Sequence, residues 1–193
     1  MASINVSPLS AEPEKRGVLC FDVNEQGLIA IGQTGSQDKE ICVYTSQGEF
    51  LYGYTFNCTQ SFCVEWDEQH VNIYFIRSDV IISLDSDGNI LDIKAVQDTI
   101  DNNSYRNSLL YSTTRTVGNT TYRIRNDMVI FNWIATSYSQ IVTIDATGSE
   151  SIIYDVNSMQ LTKTIVTISL ICVFVFVAVA VVIWQFIKLR RGN

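Results

Sequence analysis

Few side chains in this sequence could do chemistry, and most of them lack the neighbours that chemistry requires. Nucleophilic hydrolysis needs a base beside the nucleophile, and His70 is the only imidazole in the chain. It stands in the polar stretch DEQH at 67–70, which is typical of a solvated turn. The sequence contains no Gly-x-Ser-x-Gly, His-Glu-x-x-His or glycine-rich phosphate-binding motif. We therefore predict a protein that is not an enzyme, with no catalytic, cofactor-binding or metal-binding residue and no cofactor.

Carboxylates are more numerous and leave one enzymatic alternative open. A glycosidase needs two of them facing each other across a cleft. The candidates are Glu65, Asp67, Asp85, Asp87 and Asp92. In the segment 85–89 the glycine comes fourth, whereas an EF-hand calcium loop has it sixth, so the segment indicates a turn. A carboxylate-based hydrolase is thus an alternative function.

The five cysteines allow two interpretations. Cys20, Cys42 and Cys63 occupy strand-like segments, and Cys58 lies in a connection. Buried free thiols are the first interpretation. If the domain lies outside the cytoplasm, a disulfide between Cys58 and Cys63 is the alternative.

A membrane anchor is predicted near the C-terminus. Residues 164–187 are 24 consecutive residues without a charge. As a helix they would extend about 36 Å, enough to cross a bilayer core of about 30 Å. A basic tail follows at 188–193, with Lys188, Arg190 and Arg191. The positive-inside rule predicts a single-pass protein of the cell membrane with this tail in the cytoplasm and the preceding domain outside.

The N-terminus disagrees with this orientation. Residues 1–17 contain no apolar core of a cleavable signal peptide. A tail-anchored protein with a cytoplasmic domain would need none, but three basic residues would then have to cross the membrane. We favour the domain outside.

The charge of the N-terminal part restricts its partners. Four of the 13 basic residues lie at or after Lys163, so the preceding part has nine basic and 20 acidic residues and a net charge of −11. Nucleic acid and anionic lipid need neutralising Lys and Arg, so we expect no nucleic-acid partner. The expected partners are the lipid bilayer, through residues 164–187, and one or more proteins.

Internal repeats become visible when the sequence is aligned on three glycines, Gly48, Gly88 and Gly148. Seven residues before each glycine is an isoleucine, and three residues before it is Thr or Asp. The isoleucines are Ile41, Ile81 and Ile141, and the polar residues are Thr45, Asp85 and Asp145. Each segment reads as a strand, a polar turn and a strand, which predicts a β-hairpin.

A second strand pair precedes each hairpin. LCFDVNEQGLIAI at 19–31 matches FCVEWDEQHVNIY at 62–74, so that Asp22 corresponds to Glu65. The third copy, TYRIRNDMVIFNWIA at 121–135, keeps the pattern of strand, turn and strand. Four antiparallel strands in about 40 residues, with a D-x-x-G hairpin, resemble a blade of an NHL-type or quinoprotein-type β-propeller. The resemblance covers about 17–156 and implies an architecture but no function.

We therefore predict an all-β domain at 17–160, made of three four-stranded propeller-like blades, after an N-terminal segment 1–16. An antiparallel β-sandwich is the alternative fold. Closed propellers have about four to eight blades, so three blades leave the ring open and two faces to be covered. The insertion 97–120, the N-terminal segment or a second copy in a homodimer could cover them. A strand signal at 109–116 also predicts a fifth strand on the third blade.

Together these features predict a membrane-tethered β-repeat module that binds or scaffolds a ligand, because repeat surfaces recognise partners without buried chemistry. A further alternative is a sensory or assembly subunit of a membrane complex, whose domain completes a partner's sheet. An exposed strand edge would favour that alternative.

Overall fold

The computed structural model describes residues 4–35 and 38–191 and is mostly β. Residues 1–3 of the N-terminal segment and residues 192–193 of the basic tail lie outside the described part. Within that part, thirteen strands form three antiparallel sheets of five, four and four strands, and an apolar helix follows them. The β-rich class and the C-terminal helix are confirmed.

Each sheet is formed by strands that follow one another along the chain. The first sheet contains β1 (Val6–Pro8), β2 (Val18–Val23), β3 (Ile29–Thr34), β4 (Lys39–Tyr44) and β5 (Phe50–Phe56), in the order β1-β5-β4-β3-β2. The second contains β6 (Phe62–Asp67), β7 (His70–Phe75), β8 (Val80–Leu84) and β9 (Ile90–Ala95), in chain order. The third contains β10 (Thr114–Val117), β11 (Thr120–Arg125), β12 (Gln140–Ile144) and β13 (Glu150–Asp155), also in chain order.

The first sheet lies in the middle of the stack, because its two faces enter two different cores. Ile41 and Tyr54 belong to the core shared with the second sheet, and Phe21 and Cys42 to the core shared with the third. The strand β3 is buried at five consecutive positions, as expected for a strand covered on both faces. In the outer sheets, buried residues alternate with more exposed ones, as in β11, because only one face of each outer sheet meets the first sheet.

One turn geometry recurs four times. The glycines Gly27, Gly48, Gly88 and Gly148 have φ between +78° and +84°, a left-handed conformation that only glycine adopts freely. Three residues before them lie Asn24, Thr45, Asp85 and Asp145. Each of these side chains accepts hydrogen bonds of 2.8–3.2 Å from the backbone N–H groups two and four residues later. The three predicted hairpin turns are thus present, and the turn at Gly27 follows the same rule.

The third sheet differs from its sequence prediction. The segment 121–135 predicts a strand, a turn and a second strand, but in place of the second strand Val129–Ile134 is a 3₁₀ helix. Met128 is buried at its start, and its N–H donates to Asn132 Oδ1 at 2.7 Å, which closes the turn locally. The third sheet obtains its fourth strand from β10 instead, so the segment at 109–116 does not add a fifth strand.

The first part of that predicted strand, at 109–111, is helical. It completes α1 (Ile100–Tyr111), which begins where Thr99 Oγ1 accepts the Asn102 N–H at 3.2 Å. Leu109 of α1 is buried against the second sheet, so tertiary packing overrides the local β propensity. The fifth strand of the structure belongs to the first sheet: β1, from the N-terminal segment, pairs with β5.

The two outer faces of the stack are covered or polar. The helix α1 contacts β6 and covers the face of the second sheet that points away from the first, where Cys63 and Tyr74 are buried. On the third sheet, Arg123 and Arg125 alternate with core residues and point outward, and both pair with Glu150 at 2.7 Å. The predicted insertion 97–120, through α1, therefore covers the outer face of the second sheet. The outer face of the third sheet carries charged side chains and is compatible with water.

The helix α2 (Asn157–Arg191) follows β13 directly. Its part Asn157–Gln185 is long and apolar enough to span a membrane, and no residue of its most apolar window is buried. A core helix of a soluble protein would bury this surface. The helix thus has the length and composition predicted for the anchor, and it begins seven residues before the uncharged run.

Candidate functional site

Three charged side chains meet where the edge strand β2 of the first sheet contacts β6 and β10, which are edge strands of the second and third sheets. Strand register shows that Asp22, Glu65 and Arg115 occupy equivalent positions in their sheets. Followed across two strand pairings, the three residues align with Val43, Ser83 and Thr143, respectively. Each of these partners lies two residues after the isoleucine of its hairpin, Ile41, Ile81 or Ile141. The sequence alignment of Asp22 with Glu65 therefore agrees with the register. Arg115 was missed because the sequence reading placed it in an insertion.

Asp22 holds the three sheets together. Its Oδ1 accepts a hydrogen bond from Arg115 Nε of the third sheet at 2.6 Å, and its Oδ2 accepts the backbone N–H of Trp66 in the second sheet at 2.7 Å. The two charged side chains are only 12% and 17% exposed. The Arg115 guanidinium also lies 5.6 Å from the centre of the Phe21 ring. This low exposure and the charge-assisted bonds make the contact a strong one.

Glu65 is the group of this cluster with acid–base capacity. Burial raises its pKa to about 7, and the negative charges of Asp22 and Asp67 act in the same direction against the opposing effect of Arg115. The hydroxyl of Tyr105 in α1 donates to Glu65 Oε1. Near neutral pH the carboxyl is thus divided between its protonated and ionised forms.

The chemistry of this cluster is limited by its hydrogen bonds. Both oxygens of Asp22 are occupied, so it has little capacity to act as a nucleophile or base. A glycosidase active site would need two carboxyl groups with room for a sugar between them. Neither the groove between the first and third sheets nor the groove beside α2 is lined by Asp22 or Glu65. Two buried donors, Arg115 Nη2 and Trp66 Nε1, have no acceptor among the described residues.

A polar groove opens between the first and third sheets at their turn ends. We call it the turn-end groove; its volume is about 430 Å³. Its lining comprises Glu25, Gln26, Gly27, Ser46, Gln47, Val117, Thr120, Tyr122, Thr143, Asp145, Ser149 and Ser151. Hydrogen bonds from Thr147 and Ser149 hold the pKa of Asp145 below its usual range, so this carboxyl is ionised at neutral pH. The groove therefore offers hydroxyls, amides and negative charge.

The other candidate residues, His70, Asp85 and the cysteines, lie outside this cluster and have structural or solvent-exposed positions. His70 is exposed at the start of β7. Asp85 uses its carboxylate for the turn described above, and among the described residues no cluster of three or more His, Cys, Asp or Glu side chains could hold a metal. All five cysteines are free, including Cys58 and Cys63. Burial raises the pKa of Cys42 and of Cys63 to about 12, which keeps them protonated and weakly nucleophilic.

No protein-family model matches the chain, and no curated protein is found to be similar to it.

The sequence contained a signal for the missed part of the site. The sequence alignment pairs Asp22 with Glu65, and it requires a third equivalent if the third copy also has a first strand at this edge. Arg115 lies in a short run of β-branched residues, TRTV, that is compatible with such a strand. Tyr105 had no comparable signal, because only the packing of α1 brings it to Glu65.

Proposed function

We propose that this chain is a single-pass membrane protein whose β domain is a propeller-like module for binding or scaffolding. The turn-end groove is the observation that carries the binding function. It is open, polar and negatively charged. The strand β13 runs from Ser151, which lines the groove, to Asp155, next to the start of α2 at Asn157. The groove thus lies at the end of the third sheet opposite the anchor, where a partner can reach it.

The relation between the sheets supports a propeller-like arrangement. In the third sheet the repeat isoleucine Ile141 points into the core shared with the first sheet, and in the first sheet Ile41 points into the core shared with the second. In the second sheet Ile81, which is only partly buried, lies in the row of Cys63 and Tyr74, on the face covered by α1. The face that bears this isoleucine thus meets another sheet in the third and first sheets and meets α1 in the second, so the sheets stack in the same sense, as successive blades do. A two-sheet sandwich has no such middle sheet.

The partner that fits the groove has a polar, basic surface. Glu25 and Asp145 supply negative charge, and the hydroxyls and amides supply hydrogen bonds. A peptide segment or a protein loop carrying Lys or Arg satisfies these groups. The excess of acidic residues over the domain favours a protein over nucleic acid.

Site-specific photocrosslinking in the full-length protein tests this function. A photoreactive residue at Gln47, which is exposed at the groove, should form a partner adduct. The matched position is Lys94 on β9, whose side chain is 65% exposed and outside the groove. Ser46→Arg should remove the adduct because it fills the groove. Identical adducts from Gln47 and Lys94, or an adduct insensitive to Ser46→Arg, would contradict the assignment.

For the anchor, we propose that residues 164–187 span the bilayer, with the basic tail in the cytoplasm and the β domain outside the cell. Lys188 Nζ lies 5.4 Å from the centre of the Trp184 ring, a pairing of cation and aromatic ring that suits the membrane interface. The protein should remain with membranes after alkaline carbonate and dissolve only with detergent. Protease added to intact cells should digest the β domain; digestion only after lysis would reverse the orientation.

A hydrolase is the second candidate, and one observation favours it. Glu65 has a pKa of about 7 and lies near Asp22, a combination that acid–base catalysis uses. If the protein hydrolyses a glycoside substrate, Glu65→Gln should abolish the activity while the exposed carboxylate replacement Glu49→Gln leaves it unchanged. Equal loss in both variants, or none in either, would exclude Glu65 as the catalytic acid.

An assembly subunit is the third candidate, and the edge strand β9 is the feature that fits it. All six of its residues are exposed, including Ile90, Leu91 and Ile93. The bulge between Ser83 and Leu84 and the ion pair of Lys94 with Asp92 reduce its suitability for pairing with another strand. A partner or a homodimer that extends this sheet would protect the β9 amides from hydrogen exchange.

A further inference from the structure

The 3₁₀ helix Val129–Ile134 presents large apolar side chains to its surroundings. Val129 is 76% exposed and Trp133 is 84% exposed, whereas the preceding residue, Met128, is 1% exposed. The base of the element is therefore fixed in the domain and its tip projects. Val129 also has φ +52°, a conformation that is strained for a β-branched residue. Such strain persists only where the surroundings hold it in place, and it occurs often at sites that bind something.

The projecting element faces the part of α2 from Lys163 to Ile171. Together they line an apolar groove of about 670 Å³, formed by Phe131, Trp133, Ile134, Lys163, Thr164, Thr167, Ile168 and Ile171. We call it the juxtamembrane groove. One of its walls therefore belongs to the uncharged run that starts after Lys163. At about 1.5 Å per residue, this wall extends about 10 Å along the helix from Thr164 to Ile171.

The depth of the α2 side of the groove in the bilayer determines whether lipid can occupy the groove. The uncharged run is about 36 Å long and a bilayer core about 30 Å thick, so residues near Ile168 and Ile171 reach the hydrocarbon region if the run spans the membrane. The side chains opposite them on the 3₁₀ helix then lie at the same depth. Tryptophan is the residue that the interface favours, and Lys163 at the groove edge can reach the headgroups.

We propose that the 3₁₀ helix is a second membrane contact, and that its Trp133 inserts among the lipids at the interface beside α2. This inference rests on the proposed membrane span. A helix alone leaves the domain free to tilt and rotate about its anchor. Two adjacent contacts fix the domain relative to the bilayer, and they direct the turn-end groove away from the membrane.

Tryptophan fluorescence in the full-length protein tests this contact, because the chain has three tryptophans: Trp66, Trp133 and Trp184. The variant with Trp66→Phe and Trp184→Phe leaves Trp133 as the only reporter. The variant with Trp66→Phe and Trp133→Phe leaves Trp184, which reports on the span itself. Both proteins are reconstituted into phosphatidylcholine vesicles with lipids brominated near the headgroup end of the acyl chain, and circular dichroism checks that the β-sheets are retained.

We expect brominated lipid to quench Trp133 at least about twofold and aqueous acrylamide to quench it weakly, as for an interfacial indole. Quenching of Trp184 without quenching of Trp133 would leave the span intact and overturn the second contact. Protection of Trp133 from acrylamide without quenching by brominated lipid would also overturn it, because another protein surface, such as a second copy, would then cover the residue. If neither is quenched by brominated lipid, both the span and the second contact fail.

Discussion

Glu65→Gln is the substitution that tests the electrostatics of the converging strands. Glutamine keeps the Oε1 acceptor for the Tyr105 hydroxyl and the size of the side chain, but it cannot ionise. It therefore imitates the protonated glutamic acid. Any change in stability reports on the charge of Glu65 rather than on packing.

The pKa of Glu65 determines the sign and size of the effect. Folding raises this pKa from 4.5 to about 7, so the folded state binds the proton more tightly than the unfolded state does. The stabilisation from this proton is complete below about pH 4.5 and is lost as the pH rises through about 7. About 1.4 kcal/mol per pKa unit sets an upper limit of about 3 kcal/mol. Because the side chain is only half-buried, solvent screening reduces the expected value to about 1 kcal/mol.

The assay is urea unfolding of the full-length protein in detergent micelles, followed by the fluorescence of Trp66 in a background with Trp133→Phe and Trp184→Phe. At about pH 8 Glu65→Gln should be more stable than the wild type by about 1 kcal/mol, and at about pH 4 the two should be equal. Glu49→Gln, which removes an exposed carboxylate, is the control and should leave the pH dependence unchanged. If Glu65→Gln is instead less stable at about pH 8, ionised Glu65 gains more from Arg115 than burial costs it, and our reasoning is wrong.

Three further predictions can be tested by the same unfolding assay. Arg115→Met leaves a buried carboxylate without its cation and should cost about 3–5 kcal/mol; a cost below about 1 kcal/mol would show that the pair does not hold the sheets together. Gly48→Ala should destabilise more than Gly148→Ala. Both glycines have φ +82°, but a Cβ at Gly48 would collide with the backbone oxygen of Ile153, whereas a Cβ at Gly148 would meet open space. Equal losses of stability in the two variants would contradict this geometry. Ile141→Ala should cost about 2–5 kcal/mol and Ile81→Ala less, because only the first is fully buried; the reverse order would contradict the cores described here.

The sequence by itself determined the features that depend on neighbouring residues. A turn with Asp or Thr three residues before glycine closes through its own side chain and backbone, so Asp85 with Gly88 and Asp145 with Gly148 predicted the hairpins correctly. The length and composition of the uncharged run predicted the apolar helix α2 in the same way, since the run needs no partner to be recognised.

Only the tertiary structure decided which elements meet. The segment at 109–116 has strand-like residues throughout, but the burial of Leu109 makes its first part helical. Likewise Asp22 and Arg115 are 93 residues apart, and their ion pair depends on the first sheet lying between the other two. Local hydrogen bonds and hydropathy act within a few residues, so a sequence displays them directly. The order of the sheets arises from the fit of whole faces, and that fit exists only when all three are packed.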